Sequence, residues 1–227
     1  MNSHNRTFSR PGFLRPPVAA FLTALLLAAA APALAEKVRN HFDSDSIMRP
    51  PGFFDYVVLG APGPAKWLVL SDRNPPSAPA VAVQVEAGRP ATSIAAAVRR
   101  TYAFRDGTAS TFVKSGGSRS GLVVRYVDEK NYVALLVDGE SGDAELTSVR
   151  DGKSESLGRG KATFAQPWSR LDIVASGPSL KATFGDAPLL EGTDPHPVAG
   201  RVGMAASGPR EARFDELILD SEEIKGQ

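Results

Sequence analysis

A predicted hairpin from Ser120 to Asp138 carries three side chains that could hold a ligand. Arg125 and Asp138 fall on adjacent antiparallel strands, where they could face each other across the ladder, and Tyr132 follows the turn. A guanidinium offers a rigid fork of donors that suits both a ligand's oxygen atoms and a carboxylate. Arg125 is therefore predicted to contact a ligand, together with Tyr132 and Asp138, or to form a structural ion pair with Asp138 or another acid.

Aromatic side chains are the second set of candidate ligand contacts. Trp67 follows a loop rich in Gly and Pro, which favours an exposed ring, whereas Trp168 opens a strand and is predicted to lie in the core. Tyr126 and Tyr132 flank the turn of the hairpin. They could form a stacking surface for a sugar, or could stabilise the sheet as an ordinary cross-strand pair. We therefore add Trp67 to the predicted ligand-binding residues.

Acidic pairs would be needed for hydrolysis of a glycosidic bond, because that reaction uses two carboxyl groups, one of them with a raised pKa. Asp128 and Glu129 lie in a predicted turn. Asp215 and Glu216 are consecutive residues of a predicted strand and should point to opposite faces. Neither pair can act jointly on one substrate, so no catalytic residues are predicted.

Three further acids could bind a cation. Asp43 and Asp45 near the start of the mature chain would meet Asp215 if the terminal strands pair, and such oxygen ligands suit calcium. The alternative is that these charges protect a sheet edge from aggregation. His41 and His196 stand alone and the chain has no cysteine, so zinc is not expected. No cofactor is predicted, and a structural calcium ion is the one metal that these acids would suit.

The elements that must position these residues are strands. Beyond residue 100, short apolar runs alternate with turn residues at a spacing typical of an all-β sandwich. Leu171, Ile173 and Ala175, for example, share one face of a strand. Proline-rich loops interrupt the first third, where Ile94 to Arg100 could be helix or strand, with strand favoured. We predict an all-β fold of two antiparallel sheets packed as a sandwich.

Residues 1–35 have the features of a secretory signal peptide. Three arginines precede an apolar run from Val18 to Ala31, and Ala33-Leu34-Ala35 is a small-x-small cleavage site. The run is shorter than the ~20 residues that span a membrane, so cleavage should leave no anchor. Residues 36–227 would then form one periplasmic or secreted domain. Its net charge is near −2, and it has no basic patch for nucleic acid.

A set of short motifs resembles an exported bacterial family with the concanavalin A-like lectin/glucanase fold, a jelly-roll sandwich. Such proteins are commonly labelled laminin-G-like or 3-keto-disaccharide hydrolase-like, and the resemblance covers nearly all of residues 42–219. It implies a carbohydrate as the ligand class, and hydrolysis as one activity of the superfamily. The motifs are FD (residues 42–43), KW (66–67), FRDG (104–107), GLVVRYVDEKNY (121–132), PWSRLDI (167–173), LKATFGD (180–186), GRVGM (200–204) and FDEL (214–217).

The chain departs from the family pattern at positions expected to line the concave sheet. Leu136 stands where the pattern has Arg, and Asp138 where it has Asn. Ala205, Ala206 and Pro209 replace Trp, Thr and Asp. Sugars are usually held by aromatic faces together with convergent hydrogen bonds. These departures remove such groups, and we expect them to weaken the binding of a sugar.

Three functions are consistent with the sequence. The favoured hypothesis is an exported, non-catalytic binding or accessory protein whose ligand is a carbohydrate or glycan. The first alternative is a glycoside or 3-keto-disaccharide hydrolase, which would need an exposed pair of acids on the concave face. The second is a structural subunit that packs an apolar patch against an exported protein partner.

Overall fold

The computed structural model describes residues 36–60, 63–86 and 92–221. These residues belong to one compact unit, Ala33–Gln227. The predicted signal peptide and its cleavage site lie outside the described residues. Within the described ranges the fold is all-β, and no helix is long and apolar enough to cross a membrane.

Fifteen strands are present in this part of the chain. In chain order they are β1 (Glu36–Asn40), β2 (Phe54–Leu59), β3 (Trp67–Ser71), β4 (Ala80–Gln84), β5 (Ile94–Arg99), β6 (Gly107–Lys114), β7 (Arg119–Asp128), β8 (Asn131–Val137), β9 (Asp143–Arg150), β10 (Lys153–Lys161), β11 (Trp168–Ser176), β12 (Ser179–Phe184), β13 (Ala187–Thr193), β14 (Arg201–Ser207) and β15 (Ala212–Ser221). The ambiguous segment at residues 94–100 is confirmed as a strand over Ile94–Arg99.

The strands form two antiparallel sheets. One has eight strands in the order β13-β12-β11-β6-β15-β4-β3, with β1 also paired to β15. The other has seven strands in the order β10-β9-β8-β7-β14-β5-β2. The predicted two-sheet antiparallel sandwich is therefore confirmed.

The main core lies between the inner faces of the two sheets. Alternate residues of each strand supply it, as Leu122 and Val124 do on β7 and Leu171 and Ile173 on β11. Aromatic contacts contribute to it, including Trp67 against Phe214 with ring centroids 5.3 Å apart. The alternation of apolar residues in the sequence thus specifies which face of each strand is buried.

The edge strands β10 and β13 approach each other closely along one side of the sandwich. Gly158 and Gly160 of β10 allow this approach, since a Cβ atom at either position would overlap a backbone carbonyl oxygen of Glu191 or Leu189. Backbone contact at this side protects two strand edges from pairing with other chains.

Candidate functional site

Arg125 occupies a β-bulge in the predicted hairpin. The regular pairing of β7 with β8 runs as far as Val124↔Val133 and resumes at Asp128↔Asn131, and Arg125 has a left-handed φ of 52°. Gly200 on the neighbouring segment is required here, because a Cβ atom would overlap the backbone at Arg125. The bulge turns the arginine side chain out of the regular alternation and buries it completely.

The guanidinium of Arg125 joins three loops. Its Nη1 donates to Asp194 Oδ2 at 2.9 Å, and both side chains are 0% exposed. Its Nη2 donates to the carbonyl oxygens of Gly177 at 2.6 Å and Arg105 at 2.9 Å. Of the two roles predicted for Arg125, the structure supports the ion pair, with Asp194 as the acid.

Arg150 completes a buried ion network. Its Nη2 donates to both carboxylate oxygens of Asp194, at 3.0 and 3.2 Å, and its Nη1 donates to the carbonyl oxygen of Tyr132 at 3.1 Å. One carboxylate is thus shared by two arginines, and the network reaches the backbone of Tyr132. We refer to Arg125, Asp194 and Arg150 as the arginine network.

The predicted pairing of Arg125 with Asp138 is wrong. Asp138 follows β8 and caps the next turn, where its Oδ1 accepts from the backbone N–H groups of Glu140 at 3.0 Å and Ser141 at 2.7 Å. Burial opposes ionisation of Asp138, but these hydrogen bonds outweigh it and hold its pKa below the usual range. The error lies in the register, because the turn pairs Asp128 with Asn131 and the hairpin pairs Ser120 with Val137, which puts Asp138 at the far end of β8 from Arg125.

A cleft of about 940 Å³ lies against the outer face of the seven-stranded sheet. Tyr56 and Gly60 line it from the β2 side, and Tyr132, Gly152 and Ser154 from the β8–β10 side. Three strands separate β2 from β8 in the sheet, so the sheet must curve around the cleft. The predicted ligand-binding residue Tyr132 lies in this concave surface.

A second, smaller cleft of about 180 Å³ continues the first. The two share four lining residues, namely Thr92, Tyr132, Val149 and Ser154. We call the combined surface the groove. Tyr132 lies at its centre, whereas Asp138 lies beyond the opposite end of β8, so the predicted site residues are not brought together.

The floor of the groove belongs to a second apolar cluster, on the face of the seven-stranded sheet that points away from the main core. Its members come from β2, β5, β14, β7, β8 and β9, and Ala134, Leu136 and Ala205 are among them. Leu136 and Ala205 are two of the positions where the chain departs from the family pattern. Leu136, which is 4% exposed, lines the smaller cleft, whereas Ala205 is fully buried and lines neither cleft.

Two turns form a rigid wall beside Tyr132. Asp128 Oδ1 accepts from the backbone N–H of Lys130 at 2.8 Å and from the Nδ2 of Asn131 at 2.9 Å, which fixes the β7–β8 turn. Asn131 Oδ1 in turn accepts from the backbone N–H of Asp151 at 3.1 Å, and Gly152 N–H donates to the Lys130 carbonyl at 3.1 Å. These bonds join the β7–β8 and β9–β10 turns, so this wall is preorganised.

Charged groups at the narrow end of the groove are paired. Glu145 lies 3.1 Å from Arg159 and 3.7 Å from Arg119. Burial opposes ionisation of Glu145, but hydrogen bonds from Ser156 and Arg159 and the charges of both arginines lower its pKa. Glu145 is therefore held as a carboxylate and is unsuited to donate a proton.

The two tryptophans have exchanged their predicted environments. Trp67 is only 1% exposed and packs in the main core, so its prediction as an exposed ligand contact is wrong. Trp168 is half-buried at the surface, with Lys114 Nζ 5.5 Å from the centroid of its ring. The alternation of β3 explains the error, since Trp67 and Val69 share its inner face.

The predicted calcium ligands separate into two groups. Asp43 and Asp215 both accept hydrogen bonds from Ser77, the former from its hydroxyl and the latter from its backbone N–H at 2.5 Å. Asp45 instead accepts from the backbone N–H of Gly52 at 3.3 Å. Within the described residues, no group of three or more His, Cys, Asp or Glu side chains could hold a metal ion. No third acid joins Asp43 and Asp215 among the described residues, and a calcium site at these acids stays a prediction.

Asp215 is a fully buried acid with a perturbed pKa. Burial raises the pKa to about 6, and the nearby carboxylates of Glu216 and Asp43 act in the same direction. Hydrogen bonds from Ser77 and Glu216 oppose the shift. Asp215 lies on β15 of the eight-stranded sheet and does not line the groove.

Sequence reasoning missed Asp194, Arg150 and Ser154. Asp194 lies in a polar loop after β13, where nothing distinguishes it from a solvated acid. Arg150 closes β9 and resembles an ordinary turn-flanking cation. Ser154 could have been found only from the register of β10 against β9, which places it opposite Val149.

The curved sheet, the groove and the two-sheet topology define a lectin-like jelly-roll sandwich. Solved structures agree with this class. The carbohydrate-binding module CBM66 from Bacillus subtilis is similar with a TM-score of 0.55 and 15% identity, over 75% of this chain and 98% of that one.

Two further structures are similar to the same degree. One is a protein of unknown function with a galectin-like fold from Bacillus subtilis (TM-score 0.54, 13% identity, 83% of this chain and 96% of that one). The other is domain 4 of AbnA, an extracellular arabinanase from Geobacillus stearothermophilus, in complex with arabinotriose (0.52, 16%, 84% and 92%). At these identities the similarity concerns the fold alone.

No family model matches the chain, and no curated protein sequence is similar to it.

Proposed function

We propose that the protein is an exported, non-catalytic carbohydrate-binding or accessory protein that holds its ligand in the groove. The observation that carries the proposal is the groove itself, a preorganised concave surface with Tyr132 at its centre. Binding sites combine an apolar floor with a few polar groups that fix the ligand's orientation. The similarity to a carbohydrate-binding module and to an arabinotriose-bound domain supports the same ligand class.

The polar groups of the groove lie along its rim. Glu129 and Lys130 project from one wall, Thr92 lies on the other side, and Ser154 borders both clefts. Hydroxyl, carboxylate and ammonium groups match the donors and acceptors of sugar hydroxyls. The aliphatic floor and the small part of the Tyr132 ring that is exposed, 5% of that residue, offer apolar contacts to sugar rings. A chain of sugars lying along the groove would satisfy both surfaces.

The distribution of acids argues against the hydrolase alternative. Glu129 and Glu145 are the acids among the described lining residues, and Glu145 is held ionised by its arginine partners. Glycoside hydrolysis needs one acid of raised pKa beside a second carboxylate. Asp215 has such a pKa but lies on the other sheet. The finer family labels, laminin-G-like and 3-keto-disaccharide hydrolase-like, therefore describe a resemblance without a matching acid pair.

Export rests on the sequence alone. The basic start, apolar run and small-x-small site of residues 1–35 direct the chain to the periplasm or beyond, where polysaccharides are accessible. This location suits a protein that binds glycans or assists an exported enzyme.

The structural-subunit alternative is supported by one loop. Met48 and Phe53 are 64% and 68% exposed, and each has a left-handed φ near 65° (64° and 66°). Bulky side chains rarely adopt this conformation, and apolar side chains of this exposure are found at protein interfaces. An exported protein partner could therefore dock at this loop while the groove holds a glycan.

A glycan array tests the proposed function. We expect the purified protein to bind a subset of oligosaccharides and Ser154→Trp to abolish that binding, because the indole would fill the groove from an exposed position. Glu155→Trp is the matched control, since the neighbouring residue of β10 points to the other face. Absence of binding to any glycan, or equal binding by the two variants, would contradict the proposal.

A further inference from the structure

A separate cleft of about 550 Å³ surrounds the half-buried Trp168. Pro75 and Pro76 border it on one side, and Gln166 and Pro167 on the other. It lies between the β3–β4 loop and the β10–β11 loop, and none of the described residues lines both this cleft and the groove. It combines an aromatic ring, the apolar rings of prolines and side-chain amides, as sugar-binding surfaces do.

The cleft is held rigidly by buried interactions. Asp72, whose side chain is 2% exposed, accepts from Lys114 Nζ at 2.6 Å and from Arg213 Nη1 at 2.7 Å. Ser115 N–H donates to the Pro167 carbonyl at 2.8 Å, which joins the β6–β7 and β10–β11 loops. A cleft whose walls are fixed before binding loses little conformational entropy when a ligand enters.

The electrostatic character of the cleft is positive. Arg73 and Lys114 line it, and no acid is among its described lining residues. Lys114 shares the buried Asp72 with Arg213, and Glu211 compensates Arg213 at 2.7 Å. Arg73 also lines the cleft and is exposed, and none of these ion pairs neutralises its charge. The cleft therefore favours a ligand that carries a carboxylate or another anionic group.

We propose that the Trp168 cleft is a second saccharide site that binds a uronate-bearing glycan. The sugar ring packs against the exposed part of the Trp168 indole and the adjacent prolines. Its carboxylate approaches Arg73, and its hydroxyls bond the amides of Asn74 and Gln166, which also line the cleft. The inference shares the carbohydrate class with the proposed function but depends on different residues.

Tryptophan fluorescence reports on this site selectively. The chain has two tryptophans, and Trp67 is only 1% exposed, so quenching by the neutral quencher acrylamide monitors Trp168. We expect tri-galacturonate to protect Trp168 from the quencher, with the methyl-esterified trimer binding at least about tenfold more weakly, because the ester removes the charge-assisted hydrogen bonds. Trp168→Phe should lose the signal. Ser154→Trp blocks the groove but adds a third tryptophan, so its binding is measured by affinity electrophoresis instead. This variant should still bind the uronate, because the two sites share no described lining residue.

Affinity electrophoresis in gels containing polygalacturonate supplies an independent measurement. Arg73→Ala should weaken retardation about tenfold, and Trp168→Ala should weaken it similarly. Arg49→Ala is the matched control, because it removes an exposed arginine from a different loop and changes the net charge equally. Absence of protection by tri-galacturonate would overturn the second site. Equal affinity for acid and ester, or equal effects of Arg73→Ala and Arg49→Ala, would overturn its preference for uronates.

Discussion

Replacement of Arg125 by leucine should destabilise the fold rather than alter a ligand contact. The substitution removes a fully buried cation and leaves the fully buried Asp194 carboxylate with Arg150 as its remaining ionic partner, beside the backbone N–H of His196 at 3.1 Å. The carbonyl oxygens of Arg105 and Gly177 also lose donors. Breaking a buried pair by removing one member costs ~3–5 kcal/mol. That loss is a large fraction of the roughly 5–15 kcal/mol that stabilises a typical domain.

A urea melt followed by circular dichroism measures this effect. At a slope of about 2 kcal/mol per molar urea, the expected loss lowers the midpoint by roughly 2 M. Arg159→Leu is the control, because this arginine also pairs with a strand carboxylate, Glu145, but is 76% exposed. Such a pair is worth less than ~1 kcal/mol. Equal midpoint shifts for the two variants would refute the structural role of Arg125.

Three further predictions concern other parts of the chain. Asp215 has a native pKa of about 6, above the ~3.9 of an unfolded chain, so it stabilises the fold below about pH 4 and that contribution is lost as the pH rises through 6. Asp215→Asn should therefore gain on the order of 2 kcal/mol relative to wild type between about pH 4 and pH 7 in denaturant melts, and parallel pH profiles would contradict this. Gly158→Ala should cost ~1–3 kcal/mol because its methyl group would overlap the Glu191 carbonyl oxygen, whereas Ser156→Ala on the same strand should change stability by less than about 0.5 kcal/mol. N-terminal sequencing of the exported protein should begin at Glu36, and retention of the apolar run would disprove cleavage.

The fold was predictable because its determinants are local. Alternation of apolar residues, as at Leu171, Ile173 and Ala175, specifies the buried face of a strand, and the turns between strands contain Gly, Asp and Pro. Arg125 was recognised as unusual because a charged residue stood within an apolar strand. Its partner could not be predicted, because Asp194 is 69 residues away in sequence.

The candidate site was harder to predict than the fold, because β-bulges and the packing of loops determine where its side chains lie. The register of the β7–β8 hairpin is set by the Asp128↔Asn131 pair and keeps Asp138 away from Arg125, and the bulge turns the Arg125 side chain toward Asp194 instead. Trp67 points inward because of its place in the alternation of β3. The irregular loop before β3 gives no indication of which residue of that strand faces the core. The position of Trp168 depends on loops that meet only in the folded chain. Tyr132 borders the groove and stays a predicted ligand contact; its position next to the β7–β8 turn was visible in the sequence because Asp128 and Asn131, which cap that turn, lie only three residues apart.

Calorimetric titration of an array-selected oligosaccharide into three proteins shows whether the groove is the carbohydrate site. We expect saturable one-to-one binding in the groove by wild type and by Glu155→Trp, and no measurable heat with Ser154→Trp. Urea melts of the same samples should show that both variants remain folded. Binding of the oligosaccharide by folded Ser154→Trp with wild-type affinity would contradict the assignment of the groove as the carbohydrate site.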